Sequence, residues 1–89
     1  MIRKDLLIIN KLGLHARAAA KLAKTAGQFA AKIQVSLNGN EVDGKSVMSL
    51  MLLAAVKGTT IKVSTEGKDE QEAMTAIENL INGRFDEDE

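Results

Sequence analysis

His15 is the only histidine in 89 residues, and there is no cysteine. Nucleophilic or proton-transfer chemistry near neutral pH therefore has one obvious carrier. His15 lies in Gly13-Leu14-His15-Ala16-Arg17, which runs directly into a segment with apolar residues at Ala19, Leu22, Ala23 and Ala26. That i, i+3, i+4, i+7 spacing predicts an amphipathic helix over 16–26. Gly27 supplies a left-handed residue to end it. His15 is then at or just before the helix start, on a turn made pliable by Gly13. The first N–H groups of a helix lack internal partners and carry partial positive charge, so an anion is stabilised there. A histidine so placed is biased towards its neutral, nucleophilic form. A phosphoryl group on it would meet the N–H groups of Ala16 and Arg17 and the planar fork of the Arg17 guanidinium. Residue types alone allow three readings: a phosphoryl acceptor, an unreactive anion site, or a capping histidine without chemistry.

A second candidate is Ser46, after Gly44-Lys45. Its hydroxyl can cap the helix predicted over 47–56. That helix is apolar almost all round, through Val47, Met48, Leu50, Met51, Leu52 and Leu53. A helix on a small sheet needs one apolar stripe. The excess is either core or an exposed partner surface, and methionine suits surfaces that repack. Lys21 and Lys24 lie on the polar side of the first helix near Arg17. They read as a solvated face or as a docking surface for acidic partners.

The remaining pattern supplies the scaffold. A strand runs from near Ile2 to Ile9, followed by a loop over 10–13. Residues 32–37 alternate, Asn38-Gly39 is a hairpin turn, and 41–43 return. Residues 60–65 alternate again. Asp69 with Glu72 reads as a helix start close to a capping box. Ala73, Ala76, Ile77, Leu80 and Ile81 then form an amphipathic stripe that Asn82-Gly83 stops. The order βαββαβα predicts an α+β two-layer domain, with one sheet face open and the other covered by helices. Residues 1–85 form the domain, and 86–89 read as a frayed, solvated acidic tail.

Composition narrows the function. Lys+Arg and Asp+Glu are both 12, giving zero formal charge. No global field draws the chain to nucleic acid or an anionic membrane. Two phenylalanines are the only aromatics, too few for base-stacking platforms. No stretch is long enough for membrane insertion, and the absence of cysteine fits a reducing cytoplasm. A chain of this length encloses little substrate. It suits a module completed by a partner better than a self-contained turnover enzyme. No metal site is expected.

Gly13-Leu14-His15-Ala16-Arg17 resembles the active-site motif of HPr, the histidine-containing phosphocarrier family of the bacterial phosphoenolpyruvate-dependent sugar phosphotransferase system. Gly44-Lys45-Ser46-Val47-Met48 resembles that family's regulatory serine motif. The resemblance covers nearly the whole chain. Ala18 stands where the family usually has proline, Ser49 where many members have glycine, and the tail from Asp86 runs beyond the usual end. The resemblance implies an open-faced β-sandwich whose four-stranded antiparallel sheet has order 1-4-2-3 under three helices. It implies that His15 takes a phosphoryl group at Nδ1 from enzyme I and passes it to enzyme IIA, with Arg17 steadying the charge. Magnesium and phosphoenolpyruvate would belong to the enzyme I step, so this chain needs no cofactor. Ser46 would be the target of HPr kinase/phosphorylase in carbon catabolite regulation. Val47, Met48 and Met51 would be exposed partner contacts, and Leu50 and Leu53 core. A monomer is expected. Alternatives are a mainly regulatory docking protein and a nitrogen-related phosphorelay paralogue.

Overall fold

The computed structural model describes residues 1–88. Its elements are β1 (Ile2–Leu7), α1 (Ala16–Gly27), β2 (Lys32–Leu37), β3 (Asn40–Asp43), α2 (Val47–Leu52), β4 (Thr60–Glu66) and α3 (Glu70–Asn82), followed by a short turn at Arg84–Asp86. The four strands form one antiparallel sheet in the order β1-β4-β2-β3. Register follows the alternation of side chains. Ile61 stands opposite Leu6, and Val35 opposite Val63, so one face carries the apolar set. All four are buried, together with Ala19, Leu22, Ala26, Leu50, Ala73, Met74, Ile77 and Ile81 from the helices. Three helices thus cover one face, while Arg3, Asp5 and Lys62 are exposed on the strands. Lys4 shares the inner face at the sheet edge and reaches out to Glu78 on α3 at 3.1 Å.

Four local expectations are corrected. Helix α2 ends at Leu52, well short of Val56, because the chain turns at Ala54, where φ is +51°. The Ala55 carbonyl then accepts the Leu14 N–H at 2.8 Å. Strand β1 ends at Leu7; beyond it Ile8 exchanges backbone bonds with Thr59 and Gly58 in a loop. Gly27 is the last helical residue and is not left-handed; Gln28 closes the helix in right-handed geometry. Asp69 precedes α3, but its carboxylate makes no cap bond. It accepts the N–H groups of Ala30 and Ala31 at 2.9 and 2.8 Å, which ties the start of α3 to the entry of β2.

Within the acidic end Asp86 and Asp88 are exposed, as a solvated tail would have them, whereas Glu87 is half-buried, and the turn that leads into it is packed. Arg84, Phe85 and Asp86 all have positive φ, between 54° and 63°. Such a left-handed turn is costly for non-glycine residues. It drives the Phe85 ring into the core, where its exposure is 0%, and burial of a phenyl ring offsets the strain. Lys21 Nζ holds the turn by donating to the Phe85 carbonyl at 2.7 Å. Glu89 lies outside the described residues.

Candidate functional site

Three constraints place His15. Gly13 has φ of +65°, and a Cβ there would lie 2.4 Å from the Ala55 carbonyl oxygen. Only glycine permits both that conformation and that approach. Leu14 is buried and bonded to Ala55. His15 is then the N-cap of α1, in extended geometry, and its carbonyl accepts the Ala19 N–H at 2.8 Å. Its side chain does not cap the helix. The N–H groups of Ala16, Arg17 and Ala18 precede that first intrahelical bond and have no acceptor within the helix.

Among the described residues, the ring has one hydrogen-bond partner. Nε2 lies 2.5 Å from Glu87 Oε2, and the other carboxylate oxygen accepts from Asn10 Nδ2 at 3.0 Å. Asn10 is fully buried, and the same Nδ2 donates to the Gly13 carbonyl at 2.8 Å. The Asn10 amide thus joins the loop before His15 to the segment that ends the chain. Donation from Asn10 is the main reason the Glu87 carboxyl is held below the usual glutamate range; the His15 ring and the Arg17 charge add to it, and burial opposes it. Among the described residues, His15 Nδ1 has no hydrogen-bond partner. Arg17 is exposed and lines a shallow depression with Lys11, Leu12, Glu87 and Asp88. A second depression beside His15 is lined by Leu12, Met51, Ala54 and Val56. The arrangement offers a nucleophilic nitrogen, unpaired helix N–H groups and an exposed guanidinium, all at the surface.

The structure separates the other candidates. Ser46 caps α2, accepting the Ser49 N–H at 3.2 Å. Met48 and Met51 are exposed as expected, whereas Val47 is half-buried and packs against the core. Lys24 is exposed, and Lys21 is half-buried and donates to the Phe85 carbonyl. Sequence reasoning missed Asn10, Glu87 and Phe85 at the site. It also missed Leu12 and Val56, which are 64% and 62% exposed and, with Leu52 at 81%, extend the apolar surface around the methionines. Leu52 and Val56 carried a signal, an apolar run longer than one helix stripe requires. Glu87 carried none within an acidic run.

A sequence model described as the PTS HPr component phosphorylation site matches residues 2–83. The phosphocarrier protein HPr of Neisseria meningitidis is 54% identical over 89 residues, covering all of both chains. Among solved structures, HPr-C-His from Thermoanaerobacter tengcongensis is 40% identical, covers both chains fully and superposes with a TM-score of 0.96. A structure described as an HPr dimer from the same organism is 41% identical, with a TM-score of 0.79, and covers 98% of this chain and 100% of that one.

Proposed function

The chain belongs to the HPr family of phosphotransferase-system phosphocarriers, and from that membership we propose that His15 accepts a phosphoryl group from phosphorylated enzyme I and passes it to a sugar-specific enzyme IIA. The observation that carries this reading is His15 at the N-cap of a 12-residue helix, with Nδ1 unpaired among the described residues. The lone pair on Nδ1 attacks phosphorus as the donor's bond to it breaks. The dianionic product is met by the N–H groups of Ala16 and Arg17 and by the Arg17 guanidinium. The His15 side chain is 25% exposed, so a second protein can reach it. Residues 1–85 act as the carrier domain.

Docking would use the apolar surface around His15 and α2. Met48 is 71% exposed and Leu52 81%, as expected for a surface that more than one partner covers. Lys24 adds positive charge for acidic partners; Lys21 contributes mainly to the fold. Ser46 caps the helix that bears Met48 and Leu52, and a phosphate there adds negative charge beside apolar contacts. We therefore read Ser46 as the regulatory site for a kinase of the HPr kinase/phosphorylase type. Such gating also gives the protein a docking role beside the relay. The carrier works in the cytoplasm as a monomer, which sedimentation tests. The relay is tested by radiolabelled phosphate transfer from enzyme I through this protein to an enzyme IIA. The label should pass with the wild type and stop with His15→Ala. Undiminished passage through His15→Ala would overturn the reading.

A further inference from the structure

We propose that Glu87 is a positioning residue for phosphoryl transfer at His15: bound to Nε2, it keeps a proton there in both the free and the phosphorylated ring, so that transfer at Nδ1 needs no proton movement. The inference rests on the carrier reading above. It begins from the geometry of three residues. Asn10 Nδ2 donates both to the Gly13 carbonyl and to Glu87 Oε1. Both partners are acceptors, so the orientation of the buried amide is fixed. Glu87 Oε1 is thereby assigned to Asn10, and Oε2 is left for His15 Nε2 at 2.5 Å. A carboxylate only accepts, so Nε2 must carry the hydrogen. In the neutral ring the lone pair is then on Nδ1.

Nδ1 of the neutral ring donates its lone pair to phosphorus, and the donor's bond to phosphorus breaks with its electrons. The ring, still protonated at Nε2, becomes cationic, and the Glu87 carboxylate faces that charge. On donation the Nδ1–P electrons return to Nδ1 and restore the neutral Nε2–H ring. No proton enters or leaves in either direction. Without Glu87 the phosphorylated ring can lose its Nε2 proton to water, which leaves a poorer leaving group. Among the described residues, Lys11, Arg17 and Asp88 share a depression with Glu87, and Lys21 on α1 faces Asp86 at 3.9 Å. Phe85 in the core and its bond from Lys21 fix where Glu87 falls, so its place does not depend on the contact with His15 alone.

Two variants make the test specific. Glu87→Ala removes the acceptor. Glu87→Gln keeps an amide oxygen for Asn10, which turns its NH2 towards His15 Nε2 and favours the opposite tautomer, with Nδ1 protonated. Phosphoryl acceptance from enzyme I should therefore fall roughly three- to tenfold in Glu87→Ala and further in Glu87→Gln. At mildly alkaline pH the phosphorylated Glu87→Ala protein should also lose phosphate more slowly than the wild type. The 15N spectrum of unphosphorylated His15 at alkaline pH should show Nε2–H in the wild type and a shift towards Nδ1–H in Glu87→Gln. Amide spectra confirm that both variants are folded. Glu87→Gln matching the wild type in rate and in 15N pattern would overturn the proposal, as would faster acceptance by Glu87→Ala. If the wild type takes no phosphate from enzyme I, the carrier reading fails; the 15N pattern then still decides separately whether Glu87 holds the ring.

Discussion

The N–H of Leu14 donates to the carbonyl of Ala55 at 2.8 Å, so the loop that carries His15 is fastened to the chain leaving α2. The His15 loop and the chain beside the exposed apolar surface are thus joined directly. A partner that docks on Met51 and Val56 finds His15 at a fixed position, which is the condition for direct transfer.

Gly13 is the closest point of that junction. Gly13→Ala places a methyl 2.4 Å from the Ala55 carbonyl oxygen at a φ of +65°. The expected loss is about 2–4 kcal/mol of stability, with a matching fall in phosphoryl acceptance as the loop moves off α2. Urea denaturation and a transfer assay on the same sample measure both. Gly39, open around its Cβ position, should tolerate alanine better; equal losses at the two glycines would contradict the close-packing argument.

Phe85 lies beyond the matched residues 2–83 yet is fully buried. Phe85→Ala should cost about 3–5 kcal/mol, seen as a lower urea midpoint. Lys21→Met should cost about 1 kcal/mol, through loss of the bond to the Phe85 carbonyl. Lys24→Met should leave stability unchanged. An unchanged midpoint for Phe85→Ala would contradict the burial of its ring in the core.

Ser46 has a structural job to be separated from any regulatory one. Ser46→Ala removes the acceptor for the Ser49 N–H and should cost about 1 kcal/mol. Ser46→Asp keeps a capping oxygen and should retain near wild-type stability, while weakening partner docking roughly tenfold through its charge. Calorimetric titration with enzyme I checks the docking. Unchanged affinity for Ser46→Asp would leave the serine as a cap alone.

Acid should destabilise the fold through three carboxylates. Asp69 is held below its ordinary range chiefly by the Ala30 N–H, Glu70 by the Gly67 N–H and then the N-terminal ammonium, and Glu87 by Asn10. The folded state thus favours their ionised forms. Their contribution is present above the ordinary carboxylate range and is lost as pH falls through the lowered folded values. The urea midpoint should decline over that acid range, and Asp69→Asn should make the decline shallower. An unaltered slope in Asp69→Asn would show that its bonds to Ala30 and Ala31 do not depend on charge.

The βαββαβα order, the strand boundaries of β2 and the His15 cap were legible because each rests on local pattern: alternation, helical spacing and one histidine before an apolar stripe. The end of α2 was not. Leu52-Leu53-Ala54-Ala55 are all good helix formers, and it is the tertiary pull of Leu14 on Ala55 that turns the chain at Ala54. Asp69 reads as a cap because local bonding is what sequence shows, whereas its partners lie about 40 residues away. Glu87 was hidden for the same reason. Its partners, Asn10 and His15, are at the other end of the chain, and the single hint was Phe85, an aromatic residue amid charges.

The central claim, that His15 carries a phosphoryl group, is tested most directly by intact mass after incubation with phosphoenolpyruvate, magnesium and a cognate enzyme I. The account predicts one added phosphate, lost in acid, kept in alkali and absent in His15→Ala. No adduct with an enzyme I that phosphorylates its own carrier, or an acid-stable adduct that persists in His15→Ala, would contradict it.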